Sequence, residues 1–138
     1  MEEYGEEIAY PTVEQICEVN RRMVKEEEFG GLFLEPDNLL NLGALEYILD
    51  AVQFSVHDVV IYPTLKEKAA AIAHSIISRH VFHDGNKRTG THIAWAFLRA
   101  NGREVLLDHS IVDLTVAIAD SGAPLEALLR WLHEHQVS

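Results

Sequence analysis

Apolar positions recur at helical spacing along most of the 138 residues, and the breaks between them mark the elements. Pro11-Thr12-Val13-Glu14-Gln15 reads as a helix start, with Thr12 as N-cap and Gln15 at the capping-box position. Val13, Ile16, Cys17, Met23 and Val24 then keep one face, with Asn20 as a polar interruption, and Gly30-Gly31 is expected to end the helix. Gly31 to Asn38, containing Pro36-Asp37, reads as a loop. A second helix is predicted from about Asn41, carrying Leu45, Ile48, Leu49 and Val52. Phe54 to Tyr62 breaks the period. It is rich in β-branched residues and bounded by Pro63, which predicts an extended segment or small hairpin.

Pro63-Thr64-Leu65-Lys66-Glu67 is a second capping-box start, followed by the stripe Leu65, Ala69, Ile72, Ala73 and Ile76. The small residues Ala69-Ala70-Ala71 point to close approach of a neighbouring helix. This helix is expected to end near Arg79-His80, and another to run from about Asn86 to Ala100, with Asn101-Gly102 as its C-terminal signal. Val105 to Leu107 reads as a brief extended piece. Asp108 heads a helix with Ile111, Leu114 and Ile118, which stops at Ser121-Gly122, and Pro124 opens a last one with Leu125, Leu128, Leu129 and Leu132. The expected architecture is all-α: about six helices with a small β flap, in one domain spanning 1–138, with residues 1–11 frayed.

Composition agrees with a globular domain, at 48% hydrophobic and 24% charged residues. Cys17 is the only cysteine, so no disulfide framework exists. No apolar run reaches the ~20 residues of a membrane span, and the acidic start Met1-Glu2-Glu3 is unlike a secretory leader. These features predict a cytoplasmic protein with no membrane partner. The formal charge of −11 also argues against nucleic acid as a partner. One window reverses that sign: between Arg79 and Arg103 five cations face the single acid Asp84. An anion pocket in an acidic surface is the expectation.

The segment His80-Val81-Phe82-His83-Asp84-Gly85-Asn86-Lys87-Arg88 joins two predicted core helices inside that window. A helix start offers unpaired N–H groups and a partial positive charge. Gly85 permits close backbone approach, and Lys87 and Arg88 place two cations where the helix dipole disfavours them. With Asn86 these residues describe a phosphate-binding nest. Asp84 is a hard ligand suited to Mg²⁺ on substrate phosphates. A histidine side chain can accept a proton near neutral pH, and His80 is the candidate base for a hydroxyl nucleophile. Phe82 is expected to point inward and pin the loop. A base, a metal ligand and an anion nest together indicate phosphoryl or nucleotidyl transfer.

These residues, in the pattern H-x-F-x-D-x-N-K-R, resemble the Fic/Doc signature, and its Doc branch in particular. Gly30-Gly31, Lys68-Ala69-Ala70, Phe97-Leu98 and Asn101-Gly102 extend the resemblance over most of the chain from Thr12. It implies a compact helical fold that uses ATP and Mg²⁺ to modify a hydroxyl side chain of a target protein. His80 would be the general base, Asp84 the metal ligand, Gly85 and Asn86 the anion hole, and Arg88 a phosphate contact. Phe54 to Tyr62 would be the flap that docks the target by strand-like pairing. Lys87 stands where adenylyl-transferring relatives have glycine, and Thr91 where they place a second arginine. The resemblance therefore implies phosphoryl transfer, with translation elongation factor Tu as a possible target, ahead of adenylylation. Gly85 and Gly90 differ from the alanines expected in Doc. No match to the inhibitory pattern [ST]-x-x-x-E-[GN] occurs, so restraint is expected from a separate antitoxin.

Two rivals stand beside this reading. His57-Asp58 and His83-Asp84 suggest an HD-type metal phosphohydrolase, and a degenerate nucleotide-binding module would keep the fold without the chemistry. His74, His92, His109, His133 and His135 are read as structural, with His92 also near enough to Arg88 to line a nucleotide pocket.

Overall fold

The computed structural model describes residues 7–26, 31–55 and 57–138. Six helices follow in order: α1 (Val13–Lys25), α2 (Leu42–Gln53), α3 (Leu65–Ser78), α4 (Asn86–Ala100), α5 (Ser110–Ser121) and α6 (Leu125–His135). Their starts are those the caps dictate. Thr12 accepts from the Gln15 N–H while Gln15 accepts from the Thr12 N–H, a complete capping box. Asn41 accepts from the Ala44 N–H, and Thr64 from the Glu67 N–H. The first helix stops earlier than the sequence suggested. Its C-cap is Glu26; Gly31 lies in the extended segment beyond, and Gly30 falls outside the described residues.

The centre of the molecule is α3. Nine of its fourteen residues are buried, so its apolar stripe widens to nearly the whole circumference. One side packs Ile72 and Ile76 against Ile16, Leu45, Leu49 and Phe82 from α1, α2 and the motif loop. The other packs Ala69, Ala73 and Ile77 against Phe97, Leu98, Ile118 and Leu132 from α4, α5 and α6. The alanines let helices approach, as expected. Gly90 of α4 takes this further: a Cβ there would lie 2.9 Å from Ile77 Cγ1 and 3.1 Å from the Ala73 carbonyl.

Lys68 is the exception within α3. It is 1% exposed, and its Nζ donates to the Val52 carbonyl in the last turn of α2 at 2.7 Å. The cation thus sits on the negative end of the α2 dipole. Burial nevertheless pulls its pKa down.

One expectation needs correction. The stretch before α1 is not frayed from residue 8 onward. The Ala9 N–H donates to Asn101 Oδ1 and the Ala9 carbonyl accepts from Asn101 Nδ2, so one side chain pairs with the segment as a strand would. Tyr10 packs on both core regions and donates its hydroxyl to Val52 O. Of the expected flap, Phe54 to Tyr62, all residues but Val56 are described; they hold a turn at His57-Asp58 followed by a single bridge residue, Val59. His57 and Asp58 both have positive φ, the pair of conformations a tight hairpin turn uses, but no ladder to the body forms among the described residues.

Candidate active site

The motif loop joins the end of α3 to the start of α4 and is held by backbone pairing with residues 38–41. The Leu40 and Asn41 N–H groups donate to the Val81 carbonyl, and His83 N–H donates to the Asn38 carbonyl. Leu39 and Phe82 form an isolated antiparallel bridge. Phe82 is fully buried in the core, as its pattern implied.

His80 leaves α3 in the left-handed region, at φ 49°. The turn brings it to the surface: it is exposed, and its ring has no hydrogen-bond partner among the described residues. Strain at a solvent-facing histidine is the kind of local cost that persists at functional positions.

Gly85 is the N-cap of α4 with φ 79°, and no side chain caps the helix. A Cβ there would sit 2.7 Å from Val24 Cγ2 and 3.0 Å from Asn20 Nδ2. Conformation and space therefore both require glycine at this position. The Gly85 N–H is taken by Asp84 Oδ1 at 2.8 Å. Among the described residues nothing accepts from the backbone N–H of Asn86 or Lys87, so the anion nest narrows to the amides that follow the cap. The Asn86 side chain turns back onto the loop that precedes it. Its Nδ2 donates to the Phe82 carbonyl and its Oδ1 accepts from the Phe82 N–H, closing the motif into a ring. Its side chain is a staple; only its main chain is available to an anion.

Lys87 is exposed at the first turn of α4. Arg88 donates to the Met23 carbonyl at the end of α1, at 3.0 Å, which holds its guanidinium beside the helix start. Asp84 is exposed, and each carboxylate oxygen accepts one backbone N–H: Oδ1 from Gly85, and Oδ2 from Leu32 at 2.9 Å. An ionised carboxylate offers about four acceptor positions, so both oxygens keep capacity for a cation. One oriented carboxylate beside free helix amides fits Mg²⁺ carried on a phosphate chain. Among the described residues no group of three His, Cys, Asp or Glu side chains is placed to hold a metal, which leaves the HD-type reading without a ligand set.

Sequence reasoning missed the buried polar frame behind this surface. Asn20 and Asn38 are both fully buried. Asn20 Nδ2 donates to the Asp84 carbonyl at 2.8 Å and to Thr89 Oγ1 at 3.1 Å, while Asn20 Oδ1 accepts from Asn38 Nδ2 at 3.0 Å. Asn38 has φ 60° and also accepts from the Leu34 N–H. The polar interruption at Asn20 was the available signal; Asn38 had none beyond its place after Pro36-Asp37.

The side chains of three other histidines have partners. His74 meets the Ala123 carbonyl, His133 the Lys66 ammonium, and His135 the Asp108 carboxylate. His92 borders a cavity of about 410 Å³ between α1 and α4 with Tyr10, Arg22 and Phe97, and burial lowers its pKa.

A family model described as the Fic/DOC family matches residues 10–98, from the segment before α1 through the motif and into α4. The chain belongs to the Fic/DOC family. Members of this family are nucleotide-dependent transferases. A protein named Toxin Doc, from Mycolicibacterium smegmatis, is 31% identical over 113 residues, covering 70% of this chain and 87% of that protein. The Fic/DOC match contains every motif residue from His80 to Arg88, whereas α5 and α6 lie beyond it. Among the described residues no helix is long and apolar enough to cross a membrane.

Proposed function

We propose that this chain is a Doc-like toxin that transfers the γ-phosphoryl group of ATP to a hydroxyl side chain of a target protein in the cytoplasm. The observation that carries the reading is the arrangement at the α3–α4 junction: an exposed imidazole at one end of the loop, and unpartnered helix amides flanked by Lys87 and Arg88 at the other. His80 takes the proton of the acceptor hydroxyl. The acceptor oxygen bonds to the γ-phosphorus as the bond from that phosphorus to the β–γ bridging oxygen breaks, and ADP leaves. The Asn86 and Lys87 amides and the Lys87 and Arg88 cations bind and orient the phosphates. Asp84 would hold Mg²⁺, which when bound neutralises phosphate charge. Lys87 favours this direction of transfer, because it fills with a cation the place that adenylyl-transferring relatives leave to glycine.

The relative named as a toxin supports a toxin role here, with a separate antitoxin as partner. Elongation factor Tu is the first target to test. Incubation with ATP, Mg²⁺ and either elongation factor Tu or cell extract, followed by mass spectrometry, distinguishes the readings. A phosphoryl adduct on serine or threonine is expected; a nucleotidyl adduct assigns the protein to adenylylation, and no adduct on any protein assigns it to a degenerate binding module.

A further inference from the structure

Gly31 differs from the other close-packed glycine at this site. Its φ lies outside the left-handed region, so any residue has the conformational freedom to stand there. Space alone excludes a side chain: a Cβ would lie 2.8 Å from Asp84 Oδ2 and 3.1 Å from Val24 Cγ1. A glycine kept only for close approach marks what approaches. Here that is the backbone of 31–32, whose Leu32 N–H donates to the same Asp84 oxygen.

The segment is fastened from its other side. The Phe33 ring lies beneath two cations of α1, with Arg21 Cζ 4.7 Å and Lys25 Nζ 4.5 Å from its centroid. Both cations also pair with Glu35, Lys25 at 2.9 Å and Arg21 at 3.4 Å. Arg21 donates to the Pro36 carbonyl as well. Single exposed ion pairs stabilise little, but this set converges on Leu32, Phe33, Glu35 and Pro36 and ends at one carboxylate.

We propose that residues 31–35 form a strap that positions the Asp84 carboxylate for its cation, with Leu32 N–H as the orienting donor and Gly31 as the residue that lets it reach. The proposal rests on the reading of Asp84 as the Mg²⁺ ligand. Gly85 N–H fixes one oxygen and Leu32 N–H the other, so the carboxylate cannot rotate and presents one lone pair of each oxygen in a set direction. Donors behind a metal ligand commonly govern affinity by 10- to 100-fold. Leu32 and Gly31 are positioning residues; neither touches substrate.

The test is the Mg²⁺ dependence of nucleotide binding. A non-hydrolysable ATP analogue is titrated calorimetrically into the parent, Gly31→Ala and Phe33→Ala proteins, with and without Mg²⁺. The parent is expected to gain affinity with Mg²⁺. Gly31→Ala should lose about tenfold or more of that gain while keeping the parent's Mg²⁺-free affinity; because its φ is ordinary, any fall in thermal midpoint comes from overpacking against Asp84 and Val24 alone. Phe33→Ala, which leaves the site untouched and frees the strap, should lose part of the gain and speed hydrogen exchange at the Leu32 amide. Both variants matching the parent's Mg²⁺ response would overturn the strap alone. A parent with no Mg²⁺ response would overturn the metal role of Asp84 and the strap with it.

Discussion

The side chain of Asn20 donates to the backbone carbonyl of Asp84 at 2.8 Å, across 64 residues of chain. Through this bond the buried face of α1 sets the height of the motif loop. The same amide reaches Thr89 of α4, and Asn38 completes the frame. The loop surface is therefore fixed from beneath by polar atoms that meet no water, a low-dielectric setting in which a missing partner is costly.

Replacing Asn20 with alanine removes a partner from the Asn38 amide, the Thr89 hydroxyl and the Asp84 carbonyl, leaving Asn38 Nδ2 and the Asp84 carbonyl, among the described residues, with only their mutual contact at 3.4 Å. The expected loss is about 2–3 kcal/mol of unfolding free energy, since an orphaned buried group costs about 1–3 kcal/mol. Urea unfolding measures it, with transfer activity falling further than the unfolded fraction accounts for. A loss below ~0.5 kcal/mol would show that the frame does not hold the loop.

His80 combines exposure with a left-handed backbone. His80→Gly removes the imidazole and relieves the conformation. Transfer should drop by about 10²–10⁴-fold, the usual contribution of a general base. Thermal stability should hold or rise, by up to about 1 kcal/mol, because left-handed backbone costs roughly 1–2 kcal/mol outside glycine. Retained transfer would place the base elsewhere.

Gly85 and Gly90 resist alanine for different reasons. At Gly85 the φ of 79° and contacts of 2.7 and 3.0 Å act together, and Gly85→Ala should cost about 2 kcal/mol or more. At Gly90 alanine improves helix propensity by about 1 kcal/mol, which overpacking of about 1–3 kcal/mol against Ile77 and Ala73 should outweigh. Chemical denaturation of the two variants checks both. A stabilised Gly90→Ala would mean that Ile77 yields to the added methyl.

The chain end carries a pH-sensitive clip. Asp108 accepts from the Ser110 hydroxyl and N–H, and its other oxygen faces His135 Nε2 at 2.9 Å. His135 Nδ1 faces the Trp131 carbonyl at 2.7 Å, so both ring nitrogens meet acceptors and the imidazolium satisfies both. The Trp131 indole stacks on the ring at 3.8 Å. The Ser110 bonds, then His135, lower the Asp108 pKa; the Trp131 carbonyl, then Asp108, raises that of His135. Asp108 contributes above its unfolded value and fades as pH falls through its lowered one. His135 contributes below its unfolded value and fades as pH rises through its raised one. The clip is complete between the ordinary values, about 4 and about 6.5. His135→Gln should lower the thermal midpoint most within that window and converge with the parent at alkaline pH. A difference that does not vary with pH would reject an ionic clip.

The sequence by itself determined the six helices, because their signals are local. Thr12, Asn41 and Thr64 cap through groups three residues away, and an apolar stripe is a property of one segment. It also singled out the stretch proposed to carry the chemistry, since His80 to Arg88 is contiguous and the family match spans it. Only the tertiary structure decided how those groups are deployed. Asn86 became a staple, the Gly85 amide turned to Asp84, and Leu32, Asn20 and Asn38 came to orient the loop. Lys68 went into the interior on the end of another helix, and Ala9 was tied to Asn101. Apart from the local bonds of Asn86 and Gly85, each is a hydrogen bond between residues distant in the chain. Such a bond follows from where helices pack, and nothing in the periodicity of either segment encodes its partner.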